Sequence, residues 1–69
     1  MRPDAPETPL EKLRRHVLSG ERHIERQQAI VQHLTELGAP TKLALELLDL
    51  FEEIQTMHVA HLRRLKRAL

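Results

Sequence analysis

The segment Leu37-Gly38-Ala39-Pro40-Thr41 constrains the fold of this chain most strongly, because it separates two long helical patterns. Gly38 can adopt the left-handed conformation that ends a helix, and Pro40 cannot continue one. Thr41 can then cap the helix that follows. A connection this short makes the two helices antiparallel neighbours. The sequence therefore predicts an all-α fold built as an antiparallel helical hairpin.

The chain is predicted to contain one folded unit, residues 8–69, preceded by a short tail. The tail, residues 1–7, holds two of the four prolines and has no hydrophobic period, so disorder is expected there. Within the folded unit, helix 1 is predicted to span about 9–37 and helix 2 about 42–68, with the turn at 38–41.

Helix 1 carries a heptad pattern. Thr8 and Pro9 suit the N-cap and first helical positions. The apolar positions that follow are Leu10, Leu13, Val17, Ile24, Val31 and Leu34. Gly20 and Gln27 stand where a coiled coil would have leucine, yet the period stays in phase across them. One continuous helix is therefore expected, with a kink at Gly20 as the alternative.

Helix 2 has an apolar stripe too wide for one partner helix to cover. A second hairpin from another copy of the chain is therefore expected, which gives a two-fold symmetric dimeric four-helix bundle. Gln27 is expected opposite Phe51, paired with its symmetry mate and setting the register. The residues predicted to form the core and dimer face are Leu47, Leu48, Phe51, Ile54, Leu62, Leu65 and Gln27.

Composition narrows the classes of function. The chain has 69 residues, few for a stable isolated domain, and no cysteine, so disulfides and thiolate metal sites are excluded. One Phe, with no Tyr or Trp, provides no stacking platform for single-stranded nucleic acid. The apolar runs are short and the amino terminus is not of signal-peptide type. A cytoplasmic protein with no membrane partner is expected.

The charges are unevenly placed, although they nearly balance at 11 Lys and Arg against 10 Asp and Glu. In a hairpin, the start of helix 1 and the end of helix 2 form one basic end, which includes Arg14, Arg15, Arg63, Arg64 and Arg67. The preferred interpretation is a set of solvated charges that complement the helix dipoles. The alternative is weak nucleic-acid binding through this end.

Four of the five histidines are expected in one layer of the hairpin. If paired residues have numbers that sum to about 78, His58 and His61 face the region from Val17 to Gly20, flanked by His16 and His23. The three-residue spacing of His58 and His61 places both imidazoles on one helix face, where they could bind a divalent transition metal. The preferred interpretation is that His58 and His61 lie at the edge of the core and are hydrogen-bonded across the dimer. Metal binding and a pH-sensitive contact are the alternatives.

One sequence pattern resembles a known group of proteins. Gly20-Glu21-Arg22-His23-Ile24-x-Arg26-Gln27, followed by Leu37-Gly38, Leu47-Leu48, Phe51-x-x-Ile54 and His58-x-x-His61-x-x-x-Leu65, is similar to a group of short uncharacterised bacterial helical-hairpin proteins. The resemblance implies the hairpin fold and no activity. The leading hypothesis is a non-enzymatic homodimeric interaction or regulatory module without a cofactor. A small metal-binding protein or a weak nucleic-acid binder is the alternative.

Overall fold

The computed structural model describes residues 6–68 and shows two α-helices packed against each other. Helix α1 spans Pro9–Glu36 and helix α2 spans Lys42–Ala68. The predicted all-α hairpin is confirmed, and α1 runs without a break through Gly20. Most of the predicted disordered tail, residues 1–5, lies outside the described residues, as does Leu69.

Helix α1 begins and ends at local signals in the sequence. The Thr8 Oγ1 atom accepts a hydrogen bond of 3.1 Å from the Glu11 amide, which satisfies one of the free N–H groups of the first turn. At the other end, Gly38 has a φ of +70°. The amides of Gly38 and Ala39 bond back to the carbonyls of Thr35 and Leu34, at 3.1 and 2.9 Å, in a Schellman motif.

Two glutamines connect the helices across the hairpin. The Gln27 Nε2 atom donates to the Ala44 carbonyl at 2.8 Å, and the Gln55 Nε2 atom donates to the Val17 carbonyl at 2.9 Å. These pairs have numbers that sum to 71 and 72, so the predicted sum of about 78 is wrong. With these sums, Lys42 at the start of α2 lies opposite about residue 29 or 30, in the last third of α1.

This shift in register moves the expected contacts of Phe51. The Phe51 ring lies 5.9 Å from the ring of His23, between centroids, and not opposite Gln27. Gln27 lies beside Ala44 and is 5% exposed. Its amide nitrogen is bound inside the hairpin, where the sequence had suggested pairing with a symmetry mate.

The hairpin alone has almost no closed core. Among the hydrophobic residues of the described range, only Leu13 is buried, at 6% exposure. Two helices cover only one stripe of each other, so most apolar side chains keep contact with water. Neither helix of residues 6–68 is long and apolar enough to cross a membrane.

Candidate functional site

The interior positions of α2 form one ladder that faces α1. Its members follow a 4-3 spacing and comprise Ala44, Leu48, Phe51, Gln55, His58, Leu62 and Leu65. Gln55 is the polar member that the sequence interpretation missed. Its place in the 4-3 spacing, between Phe51 and His58, was the signal that identifies it as an interior residue.

Gly20 provides the space that the Gln55 carboxamide occupies. A Cβ atom at position 20 would overlap the Oε1 and Cδ atoms of Gln55. The sequence interpretation placed histidines opposite this part of α1, and the structure places the Gln55 amide against Gly20. Because the Val17 carbonyl can only accept a hydrogen bond, the amide nitrogen of Gln55 faces it and Oε1 lies on the other side.

His16 and His58 are the two histidines that meet across the hairpin. Their ring centroids are 5.3 Å apart, and the ring planes are tilted by 38°. Both residues are half-buried, whereas His23 and His61 are exposed. The structure therefore places the ring of His58 next to the ring of His16 on the opposite helix.

These side chains line two adjoining grooves on one face of the hairpin. The central groove, about 300 Å³, has His16, Ser19, Gly20 and His23 on its α1 side and Phe51, Ile54, Gln55 and His58 on its α2 side. The end groove, about 360 Å³, shares His16 and His58 and extends past His61 to Lys12 and Leu65. All four histidines of the predicted layer thus lie along one continuous face.

Two buried polar atoms beside the central groove have no hydrogen-bond partner. They are Oε1 of Gln55 and Nδ1 of His58, which are neighbours one helical turn apart on α2. Buried polar side-chain atoms are almost always hydrogen-bonded in native proteins. An unsatisfied pair in one groove therefore indicates a place where a donor or a cation would be stabilised.

The described residues contain no cluster of three conventional metal ligands. Within residues 6–68, no three side chains of His, Asp or Glu come close enough to hold a metal ion. Ser19 lies between two histidines in the central groove, but no hydrogen bond joins its hydroxyl to an imidazole anywhere in that range.

The basic end is partly engaged by the segment before α1. The Arg15 Nε and Nη2 atoms donate to the two carboxylate oxygens of Glu7, each at 3.0 Å. These hydrogen bonds lower the pKa of the Glu7 carboxyl below its ordinary value of 4.5 and raise that of Arg15. Arg14, Arg63, Arg64 and Arg67 are exposed. Of the five arginines predicted for this end, Arg15 is therefore the one that the structure joins to a carboxylate within residues 6–68.

A second apolar ladder on α2 remains uncovered by α1. Leu43, Leu47, Leu50, Ile54 and Met57 follow one another at a 4-3-4-3 spacing, and their exposed fractions range from 37% to 78%. This spacing places them on a stripe next to the one that packs against α1. Helix α2 therefore carries two neighbouring apolar ladders, and α1 covers one of them.

Comparison with known proteins identifies no relative. The chain gives no match to a protein-family model, to a curated protein or to a solved structure. The functional interpretation therefore depends on the two α2 ladders, the grooves and the unpartnered polar atoms.

Proposed function

We propose that this chain acts as a non-enzymatic homodimeric interaction module in which two hairpins form a four-helix bundle. The observation that carries the proposal is the second ladder of α2, from Leu43 to Met57. A helix with one apolar ladder needs one partner helix, and a helix with two adjacent ladders is typical of a bundle of three or more helices. The hairpin provides only the first partner.

A second copy of the chain is the occupant that best suits this ladder. The ladder contains only aliphatic and thioether side chains over about 21 Å of helix, a length calculated at 1.5 Å per residue. An isologous contact would bring the same residues together from both copies and needs no other chain. It would also compensate for the small core, in which Leu13 is the one buried hydrophobic residue of the described range.

Leu50 and Leu45 provide a matched pair of substitutions for testing the dimer. Leu50 lies in the second ladder and is 48% exposed, whereas Leu45 is 44% exposed. Position 45 lies two residues from both Leu43 and Leu47, which is about 200° around the helix, so Leu45 points away from the ladder. Glutamate at either position adds the same charge to α2.

The expected effect of Leu50→Glu follows from the area that the partner would cover. Full burial of a leucine side chain is worth about 1.5–3 kcal/mol, so covering the exposed half of Leu50 contributes about 1 kcal/mol in each copy. Two copies lose about 2 kcal/mol, which corresponds to a roughly 30-fold weaker dimer before the cost of burying carboxylates is added. Leu45→Glu should leave the dimer intact.

Sedimentation equilibrium and light scattering over a range of micromolar concentrations measure this difference. We expect the unmodified chain and Leu45→Glu to be dimeric and Leu50→Glu to shift towards monomer while retaining helical circular dichroism. A folded monomer at every concentration of the unmodified chain would refute the proposal. Equal loss of dimer in both variants would show that the second ladder is not the interface.

A further inference from the structure

Three of the side chains that line the central groove, His16, Gln55 and His58, carry nitrogen or oxygen atoms that can bind a cation. His58 follows Gln55 by three residues on α2, and His16 precedes Gly20 by four on α1. The Gln55 amide lies over Gly20, and the His58 ring lies beside the His16 ring. Two of the available atoms, Gln55 Oε1 and His58 Nδ1, are buried and have no protein partner.

The separation of the two imidazoles matches that of two ligands of one ion. With metal–nitrogen bonds of about 2.0–2.1 Å and tetrahedral angles, two imidazole rings that share an ion have centroids about 5 Å apart. The observed centroid distance between His16 and His58 is 5.3 Å. The two rings are therefore close enough to share one ion.

The charge of the groove favours one class of ligand. None of the residues that line it is Asp, Glu, Lys or Arg, so no ion pair competes for the imidazoles. Neutral imidazole suits zinc, copper and nickel, whereas calcium and magnesium require mainly oxygen ligands and usually carboxylates. The open side of the groove leaves room for a water molecule as a further ligand.

We propose that His16, His58 and Gln55 form a site for one divalent transition-metal ion, with two imidazole nitrogens and the Gln55 Oε1 atom as ligands. The third ligand is a carboxamide, and the site therefore does not need a third His, Asp or Glu. His61 is not included, because no three His, Asp or Glu side chains of residues 6–68 are close enough together to hold one ion, which rules out a site of His16, His58 and His61. The site lies within one hairpin and does not depend on the proposed dimer.

Titration of the full chain with Zn²⁺ by calorimetry, and with Co²⁺ by visible absorption, tests the site. We expect one ion per chain. His16→Ala and His58→Ala should each weaken binding by at least about tenfold, since loss of a ligand costs no less than loss of a supporting group. Gln55→Ala should also weaken binding, while retaining the absorption of cobalt bound to two imidazoles.

Two other histidines serve as controls. His33 is exposed near the end of α1 and does not line either groove, and His61 lines the end groove but not the central one. His33→Ala and His61→Ala should bind Zn²⁺ within about twofold of the unmodified chain. Circular dichroism of every variant verifies that the hairpin is folded, and a variant that is unfolded is replaced by His16→Gln or His58→Gln.

Three results would overturn the proposal. The first is no binding of Zn²⁺ or Co²⁺ at millimolar concentration. The second is binding that survives loss of His16 and His58 but not loss of His61 or His33, which would assign the ion to a surface histidine. The third is a ratio of one ion to two chains, which would place the ion between copies and not in the central groove.

Discussion

Substitution of Gly20 by alanine tests the contact that fixes the centre of the hairpin. In most helix interiors this change stabilises a protein, since alanine is favoured over glycine by about 1 kcal/mol. At Gly20 the new Cβ atom would overlap the carboxamide of Gln55. The amide must therefore move, and its hydrogen bond to the Val17 carbonyl, 2.9 Å long, is lost.

The size of the effect follows from these two opposing terms. The lost hydrogen bond is worth about 0.5–1.5 kcal/mol, which cancels the gain in helix propensity. We therefore expect Gly20→Ala to leave the free energy of unfolding unchanged within about 0.5 kcal/mol, or to lower it. In a Gln55→Ala protein no amide has to move, so Gly20→Ala should raise the free energy of unfolding by about 1 kcal/mol.

Urea denaturation of four proteins, followed by circular dichroism, measures this double-mutant cycle. They are the unmodified chain, the two single variants and the double variant, all at one chain concentration because dimerisation would contribute to stability. A chelator removes any bound metal. We expect a coupling energy of about 1 kcal/mol between positions 20 and 55. Equal stabilisation by Gly20→Ala in both backgrounds would show that the Gln55 amide does not occupy the space beside position 20.

Two further predictions concern the other polar contacts of the hairpin. Gln27→Ala should lower the free energy of unfolding by about 1–3 kcal/mol, because it removes a buried side chain and its hydrogen bond to the Ala44 carbonyl. The matched control is Gln28→Ala at the neighbouring exposed position, which should change the free energy of unfolding by less than about 0.5 kcal/mol. An equal effect at both positions would contradict the assigned register. Glu7→Gln should cause a small loss in melting temperature at pH 7, since its ion pair with Arg15 is exposed. Folding lowers the pKa of Glu7, so this difference in melting temperature should disappear as the pH falls below 4.5 and through the folded-state pKa. A difference in melting temperature that persists in acid would show that the charge of Glu7 is not its cause.

The sequence alone determined the helices and the turn. Thr8 caps α1, Gly38 ends it, and both act through backbone groups only a few residues away. Such signals do not depend on what the helices pack against, so they can be recognised without the fold. The wide apolar stripe of α2 is also visible in the sequence, and the structure resolves it into two neighbouring ladders.

Only the tertiary structure decided the register, and with it the candidate site. Two apolar heptad patterns can slide past each other by a turn with little change in buried area, so hydrophobic spacing does not choose one alignment. The bonds from Gln27 to Ala44 and from Gln55 to Val17 are directional and are made in one alignment only. That alignment brings His58 next to His16 and the Gln55 amide over Gly20. These residues are far apart in the sequence and become neighbours only when the chain folds.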